Sequence, residues 1–216
     1  MDVLAAAVAV LKGLPLTLLL AVCAMLIGVV GALPVSLGLQ SRHLALRLLC
    51  RVCVDLVRGI PIIVWLFVLK FGIVIGGFKL DALQSAIVGL GLVSIAYLAE
   101  IYRGGIQTVP RGQTEAAEAL GLTPRTRLFH VVLPQAFTIV SPSIATYFVG
   151  LLKDTSIAST IVVAEMVFQA QSFARQNPTL AGLLPYVIAG GLYIVLSLPV
   201  AYASRRLDAR LRRAVA

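Results

Sequence analysis

Gly13-Leu-Pro-Leu-Thr-Leu-Leu-Leu-Ala-Val-Cys-Ala-Met-Leu-Ile-Gly-Val-Val-Gly-Ala-Leu-Pro-Val-Ser-Leu-Gly-Leu-Gln-Ser41 carries no charged residue from end to end. At ~1.5 Å of rise per residue, a helix of this length crosses the ~30 Å hydrocarbon layer of a bilayer with residues to spare. Its apolar length exceeds the short core of a signal peptide, and no small-x-small site follows a brief run, so it reads as an uncleaved first span. Three more uncharged runs lie further along: Ala82–Ala99, Val131–Leu152 and Gln176–Ser204. A fifth, Val52–Leu69, carries Asp55 and Arg58 near one end. It reads as a span whose first turns lie at an interface or inside a protein bundle, where ionisable groups find partners. The expectation is an all-α polytopic membrane bundle of five transmembrane helices, at about 13–40, 52–70, 82–102, 135–152 and 183–204. It forms one domain over 1–216, with a long loop at 103–134.

Composition agrees with this reading. Of 216 residues, 60% are hydrophobic and 12% charged, and the mean hydropathy is +1.00. A soluble globular domain holds ~45–50% apolar and ~25% charged residues, so that class is excluded. Three cysteines are too few, and odd in number, for a secreted disulfide scaffold. The hydrophobicity excludes disorder.

The formal charge is +9, from 18 Lys and Arg against 9 Asp and Glu. In a soluble chain this balance points to nucleic acid. Here the bases lie between apolar runs with no aromatic-interleaved stripe, and nucleic acid is not an expected partner. With five spans, Arg42, Arg47, Arg51, Arg58, Arg103, Arg111, Arg125, Arg127, Arg205, Arg206, Arg210, Arg212 and Arg213 fall on one side. Lys12, Lys70, Lys79, Lys153 and Arg175 fall on the other. The richer side is expected to be cytoplasmic, which puts the N-terminus outside and the C-terminus and the 103–134 loop in the cytoplasm.

That loop is too apolar for a free linker and too charged to span. Thr114-Glu115-Ala116-Ala117-Glu118-Ala119-Leu120 reads as a short helix of strong helix formers. Gly121 is a natural helix stop. Thr123-Pro124 restarts a helix as N-cap and first-turn proline, and Pro134 is expected to end that second piece. By shape alone the elbow fits either an amphipathic connector on the lipid surface or a docking knob. In the knob reading, small Ala116 and Ala117 sit deep in a partner's groove and Glu115 makes a polar contact.

The residue order separates the two. Glu115, Ala116, Ala117, Gly121, Val131, Leu133 and Pro134 stand at the spacing Glu-Ala-Ala, three residues, Gly, nine residues, an aliphatic, one residue, Leu-Pro. This resembles the signature loop of bacterial importer permeases of the ATP-binding-cassette class, with Val131 in place of the usual Ile. Arg58-Gly59-Ile-Pro61 is similar to the Arg-Gly-x-Pro entry to the second span in the polar-amino-acid group. Ala96-Tyr97-Leu-Ala-Glu100-Ile-Tyr-Arg103 resembles that group's third-span exit, and Leu152-Lys-Asp-Thr155-Ser156-Ile-Ala-Ser159 with Glu165 its segment after the fourth span.

The resemblance implies a type I ABC importer permease carrying a polar or charged amino acid through the bacterial inner membrane. It implies two ATP-binding-cassette ATPase subunits, a second permease chain, identical or paralogous, and an extracytoplasmic solute-binding protein. The elbow is then the coupling element. No Gly-x4-Gly-Lys-Ser/Thr phosphate loop occurs in this sequence, so ATP and magnesium are expected on the ATPase subunits and neither cofactor nor catalysis here. The alternative is an ATP-independent channel or secondary carrier.

Two acids stand out as pathway candidates, since Glu100 and Glu165 are costly facing lipid. For each, contact with substrate competes with a structural pair, for instance with Arg58 or Arg103, and at Glu100 the pair is preferred. The hydroxyls of Thr155, Ser156 and Ser159 fit substrate contact or helix capping. Cys50-x-x-Cys53 and His43 lack metal-site spacing, His130 reads as an interfacial helix residue, and Trp65 as bundle packing. The glycines Gly72 and Gly76, and Gly190-Gly191, allow close helix approach.

The charge split yields a topology test. A reporter fused after Ala216 should be protected in the cytoplasm, and one before Met1 should be cleaved by protease added to the periplasm. Cleavage of both from the same side contradicts the five-span arrangement.

Overall fold

The computed structural model describes residues 2–74, 77, 79–178 and 182–215, with the backbone alone at 2 and 210–215. Every regular element among them is helical. Helix α1 (Asp2–Leu11) leads through Lys12 and Gly13 into α2 (Leu14–Leu39), and the two form one apolar helical stretch over Val3–Leu39. The first helical segment therefore begins earlier than the expected 13–40. Lys12 and Gly13 form a turn between the two helices, and Lys12 is exposed.

The second expected span, 52–70, is corrected. Helix α3 (Leu44–Gly59) and α4 (Ile62–Phe67), which continues as a π-turn over Val68–Gly72, meet at 98°. Pro61 has no N–H to continue α3, and the residue before a proline is pushed to extended backbone. Ile60 accordingly sits at φ −97°, ψ 130°. The indole N–H of Trp65 donates to the Val57 carbonyl across the bend at 3.2 Å.

Helix α5 (Ala82–Thr108) opens with a capping box. Asp81 Oδ1 accepts from the Gln84 N–H at 2.7 Å, and Gln84 Oε1 accepts from the Asp81 N–H at 3.1 Å. Next come α6 (Arg111–Ala119), then α7 (Pro124–Arg127), a π-turn over Leu128–Val132 and α8 (Leu133–Asp154). A 3-10 segment (Thr155–Ile161), α9 (Met166–Gln176) and α10 (Leu184–Val215) complete the chain. Four helical stretches are long and apolar enough to cross a membrane, and the bent α3–α4 pair makes a fifth if counted as one span.

Helices α2 and α5 form the central seam and run in the same direction. Ile27 packs on Gly91, Ser94 on Gly28 and Ile95 on Gly31. Gly28 removes a Cβ where the Ser94 backbone approaches, and Gly91 and Gly31 make room for the Ile27 and Ile95 side chains, as small residues do at membrane helix contacts. Helix α8 runs antiparallel to α5, with Val140 pressed on Gly105 and the Tyr147 hydroxyl donating to Ser94 Oγ at 3.0 Å. Helix α10 lies antiparallel to α8, joined by Thr146 with Ser204 and Thr155 with Tyr193. Around this frame Leu20, Leu66, Leu90, Leu151 and Ile161 fill one core, and Ala32, Val54, Leu98, Tyr102 and Val140 another. The close-approach glycines are not the ones the sequence singled out. A Cβ at Gly190 or Gly191 meets open space, and Gly76 lies outside the described residues.

This packing predicts a contrast. Gly28→Val places its Cβ 2.5 Å from Ser94 Cβ and should destabilise the detergent-solubilised protein by about 1–3 kcal/mol or more, as overpacking does. Gly190→Val should leave the melting temperature within about 2 °C. Equal behaviour of the two contradicts the seam.

Candidate functional site: the elbow and the cleft

Between α5 and α8 the chain turns twice. Helix α6 ends in a Schellman motif at Gly121, whose φ of +73° suits glycine. The Gly121 N–H bonds the Glu118 carbonyl at 2.9 Å, and the Leu122 N–H bonds the Ala117 carbonyl at 3.1 Å. Thr123 then caps α7, its hydroxyl accepting from the Thr126 N–H at 3.3 Å, with Pro124 in the first turn. Pro134 does not end this second piece, contrary to expectation. The π-turn over Leu128–Val132 widens the helix ahead of it, and the missing proline N–H falls in the first turn of α8.

The elbow presents Glu115, Ala116 and Gly121 to the outside. Ala117 is corrected: it is 3% exposed and packs inward, so it does not share the outward face with Ala116. Leu120 takes that place. It is the most exposed large apolar side chain of the described residues, at 80%, and no motif drew attention to it. An apolar residue immediately before a helix-stopping glycine was the available signal.

The elbow is fastened to the spans. Val109, Val132 and Ala136 form a small core with Ile106 and Leu128. The Gln135 side-chain amide donates to Gln113 Oε1 at 3.0 Å, and Arg127 pairs with Glu118. Leu133 follows Val132 at the start of α8, half-buried. The elbow is thus tied to the end of α5 and the start of α8.

At the α3–α4 bend lies a cleft of about 490 Å³. Arg58, Gly59 and Pro61 line one wall, Tyr97 and Tyr147 the middle, and Gly150 and Asp154 the far side. The Arg58 guanidinium lies 4.9 Å from the Tyr97 ring centroid, a cation–π contact. Tyr97 and Tyr147 stack at 5.7 Å and 22°. A cation, two aromatic rings and a carboxylate thus share one mainly apolar opening. Tyr147, Gly150 and Asp154 escaped sequence reasoning, although the Lys153-Asp154 pair just past the uncharged run Val131–Leu152 was a visible sign.

The other pathway candidates do not line this cleft. Glu100 is held by arginines: Oε1 accepts from Arg51 Nη1 at 2.8 Å, and Oε2 from Arg103 Nε at 2.9 Å and Nη2 at 2.7 Å. Arg103 also reaches Gln107. Glu165 is fully buried and caps α9, accepting from the Val167 and Phe168 N–H groups and from the Tyr193 hydroxyl at 2.8–2.9 Å. Its partners are not Arg58 or Arg103. An acid ahead of the amphipathic run Met166–Gln176 was the overlooked sign of a helix start. The Thr155 hydroxyl donates to the Leu152 carbonyl, and Ser159 to the Ser156 carbonyl, both at 2.7 Å. Ser156 stays partly exposed. Cys50 packs on Gly38, Cys53 is exposed, and His130 lies exposed beside the Thr126 carbonyl.

Comparison with known proteins gives this arrangement its relatives. Residues 24–213 match the family model described as binding-protein-dependent transport system inner membrane component. The chain is 34% identical to the L-cystine transport system permease protein TcyB of Bacillus subtilis over 94% of its length and 87% of that protein's. It is 31% identical to the arginine transport system permease protein ArtQ of the same organism, over 94% and 92%. In structure it resembles a chain of an amino acid ABC transporter solved with histidines, with a TM-score of 0.86, 31% identity and 94% of both chains covered. An inward-facing MetNI methionine ABC transporter shares the fold, with a TM-score of 0.76 at 21% identity over 93% and 95% of the two chains. This is a multi-pass inner-membrane chain, and it belongs to the family of binding-protein-dependent transport system inner membrane components.

Proposed function

We propose that this chain is the membrane-spanning permease of an ATP-driven importer for a polar or charged amino acid. The observation that carries the reading is the elbow: an exposed knob of Glu115, Ala116 and Leu120, braced to two spans. Such a knob transmits force from a partner's groove to the helices, which a lipid-surface connector has no need to do. Two ATP-binding-cassette ATPase subunits hold the elbows of two permease chains on the cytoplasmic side and carry the ATP and magnesium. A solute-binding protein delivers substrate at the periplasmic side, where the N-terminus also lies. ATP and loaded receptor favour different states of the same two-state pathway, and this difference drives the cycle.

The cleft supplies the substrate's contacts. An α-amino acid carries a carboxylate and an ammonium, which Arg58 and Asp154 complement, while the Tyr97 and Tyr147 faces accept the ammonium or an apolar stem. Amino-acid cargo is also in the names of the relatives, L-cystine and arginine among them. An ATP-independent channel or carrier remains the opposing reading.

Proteoliposomes holding the chain with its candidate ATPase decide between them. Uptake of labelled amino acid should require ATP on the elbow side. Leu120→Asp should leave membrane insertion intact and weaken ATPase association about 30-fold, as loss of a central contact worth ~2 kcal/mol does. Asp154→Asn should reduce uptake at least about tenfold while ATPase association is kept. Uptake down a gradient without ATP, unaffected by Leu120→Asp, overturns the proposal.

A further inference from the structure

Helix α3 carries one wall of the cleft, and most of its surface is exposed. Val54 is its one buried residue among those described, and Leu49, Val52 and Leu56 are each more than half exposed. Val54 joins the apolar core it shares with α5, and the remaining attachment to α5 runs through cations. Arg51 and Arg58 are seven residues apart, two helical turns, and so share a face. Tyr97 and Glu100 are three apart on α5 and share another. Arg51 meets Glu100 at 2.8 Å, and Arg58 covers Tyr97 at 4.9 Å.

The carboxylate is oriented for this purpose. Arg103 takes Oε2 with two nitrogens, which leaves Oε1 turned to Arg51. The Glu100 side chain is 14% exposed, so the contact is screened less than a surface pair. At the other end of α3, the Trp65–Val57 hydrogen bond braces the bend. Arg58 lies seven residues past Arg51 and inside the loop that the Val57–Trp65 bond closes.

We propose that Glu100 is a positioning residue: through Arg51 it fixes where Arg58 stands in the cleft, and so sets the affinity for the substrate's carboxylate. This rests on the cleft being the substrate site. Neither Glu100 nor Arg51 lines the cleft; the effect of Arg51 passes through α3, and the charge of Glu100 also acts on Arg58 directly. Small displacements of a binding group lower binding steeply, because charge-assisted hydrogen bonds depend on alignment.

The test uses the assembled transporter and whichever of labelled L-cystine, L-glutamine and L-arginine the wild type carries fastest. KM and Vmax are measured for Arg51→Gln, Glu100→Gln, Arg58→Gln and the Arg51→Gln/Arg58→Gln double variant. Arg51→Gln and Glu100→Gln should each raise KM on the order of tenfold, with Vmax within about twofold. The double variant should be no worse than Arg58→Gln alone, since Arg51 acts through Arg58. Arg51→Lys should restore most of the affinity. If Arg58→Gln raises KM while Arg51→Gln does not, or if the two effects multiply, positioning is overturned and the cleft stands. If Arg58→Gln leaves KM unchanged, the cleft reading itself falls. Should Glu100→Gln fail to accumulate, Arg51→Gln, altered at a side chain 40% exposed, carries the same test.

Discussion

A backbone N–H or C=O left unpaired in hydrocarbon costs several kcal/mol, so a chain in lipid leaves the helix only where protein groups take over the freed partners. The departures in this chain obey that constraint. Pro142 removes the N–H that would bond the Thr138 carbonyl, and the Ser141 hydroxyl donates there at 2.8 Å. Past Ile161 the chain turns through Val162 at φ +69°. The N–H groups that open α9 are taken by the Thr17 hydroxyl and the Glu165 carboxylate. At the α3–α4 bend the Trp65 indole takes the Val57 carbonyl.

These departures are also where the chemistry gathers. The bend at Gly59–Pro61 opens the space that Arg58, Tyr97 and Asp154 line. The node around Glu165 fastens α2, α9, α10 and the 3-10 segment together through Thr17, Tyr193 and Thr155. Polar side chains that face nothing but lipid are disfavoured, whereas side chains that repair a broken backbone gain partners. A carboxylate such as Glu165 therefore has a structural reason to be buried that is independent of substrate. At the elbow the repair is by its own capping hydroxyl and glycine.

How much of this was legible beforehand follows from the range of each interaction. The uncharged runs and the caps at Thr123 and Gly121 are local, and a linear reading finds them. So is the seven-position signature of the loop. The inward turn of Ala117 and the pairing of Glu100 with Arg51, by contrast, depend on which helix faces which. The broken second span was written in Gly59-Ile-Pro61, yet a hydropathy run passes over a bend. Pro134 misled in the opposite sense, because a π-turn can absorb a proline that ordinary helix geometry rejects. The seam glycines went unnoticed because glycine is common in membrane helices and only the opposing surface separates a packed one from an exposed one.

Coupling through the elbow is the central claim, and photo-crosslinking tests it most directly. A benzophenone side chain at position 120, in intact membranes that also hold the candidate ATPase, should capture that ATPase, with a yield that changes when ATP is added. Crosslinks to lipid alone, the same with and without ATP, would contradict the account.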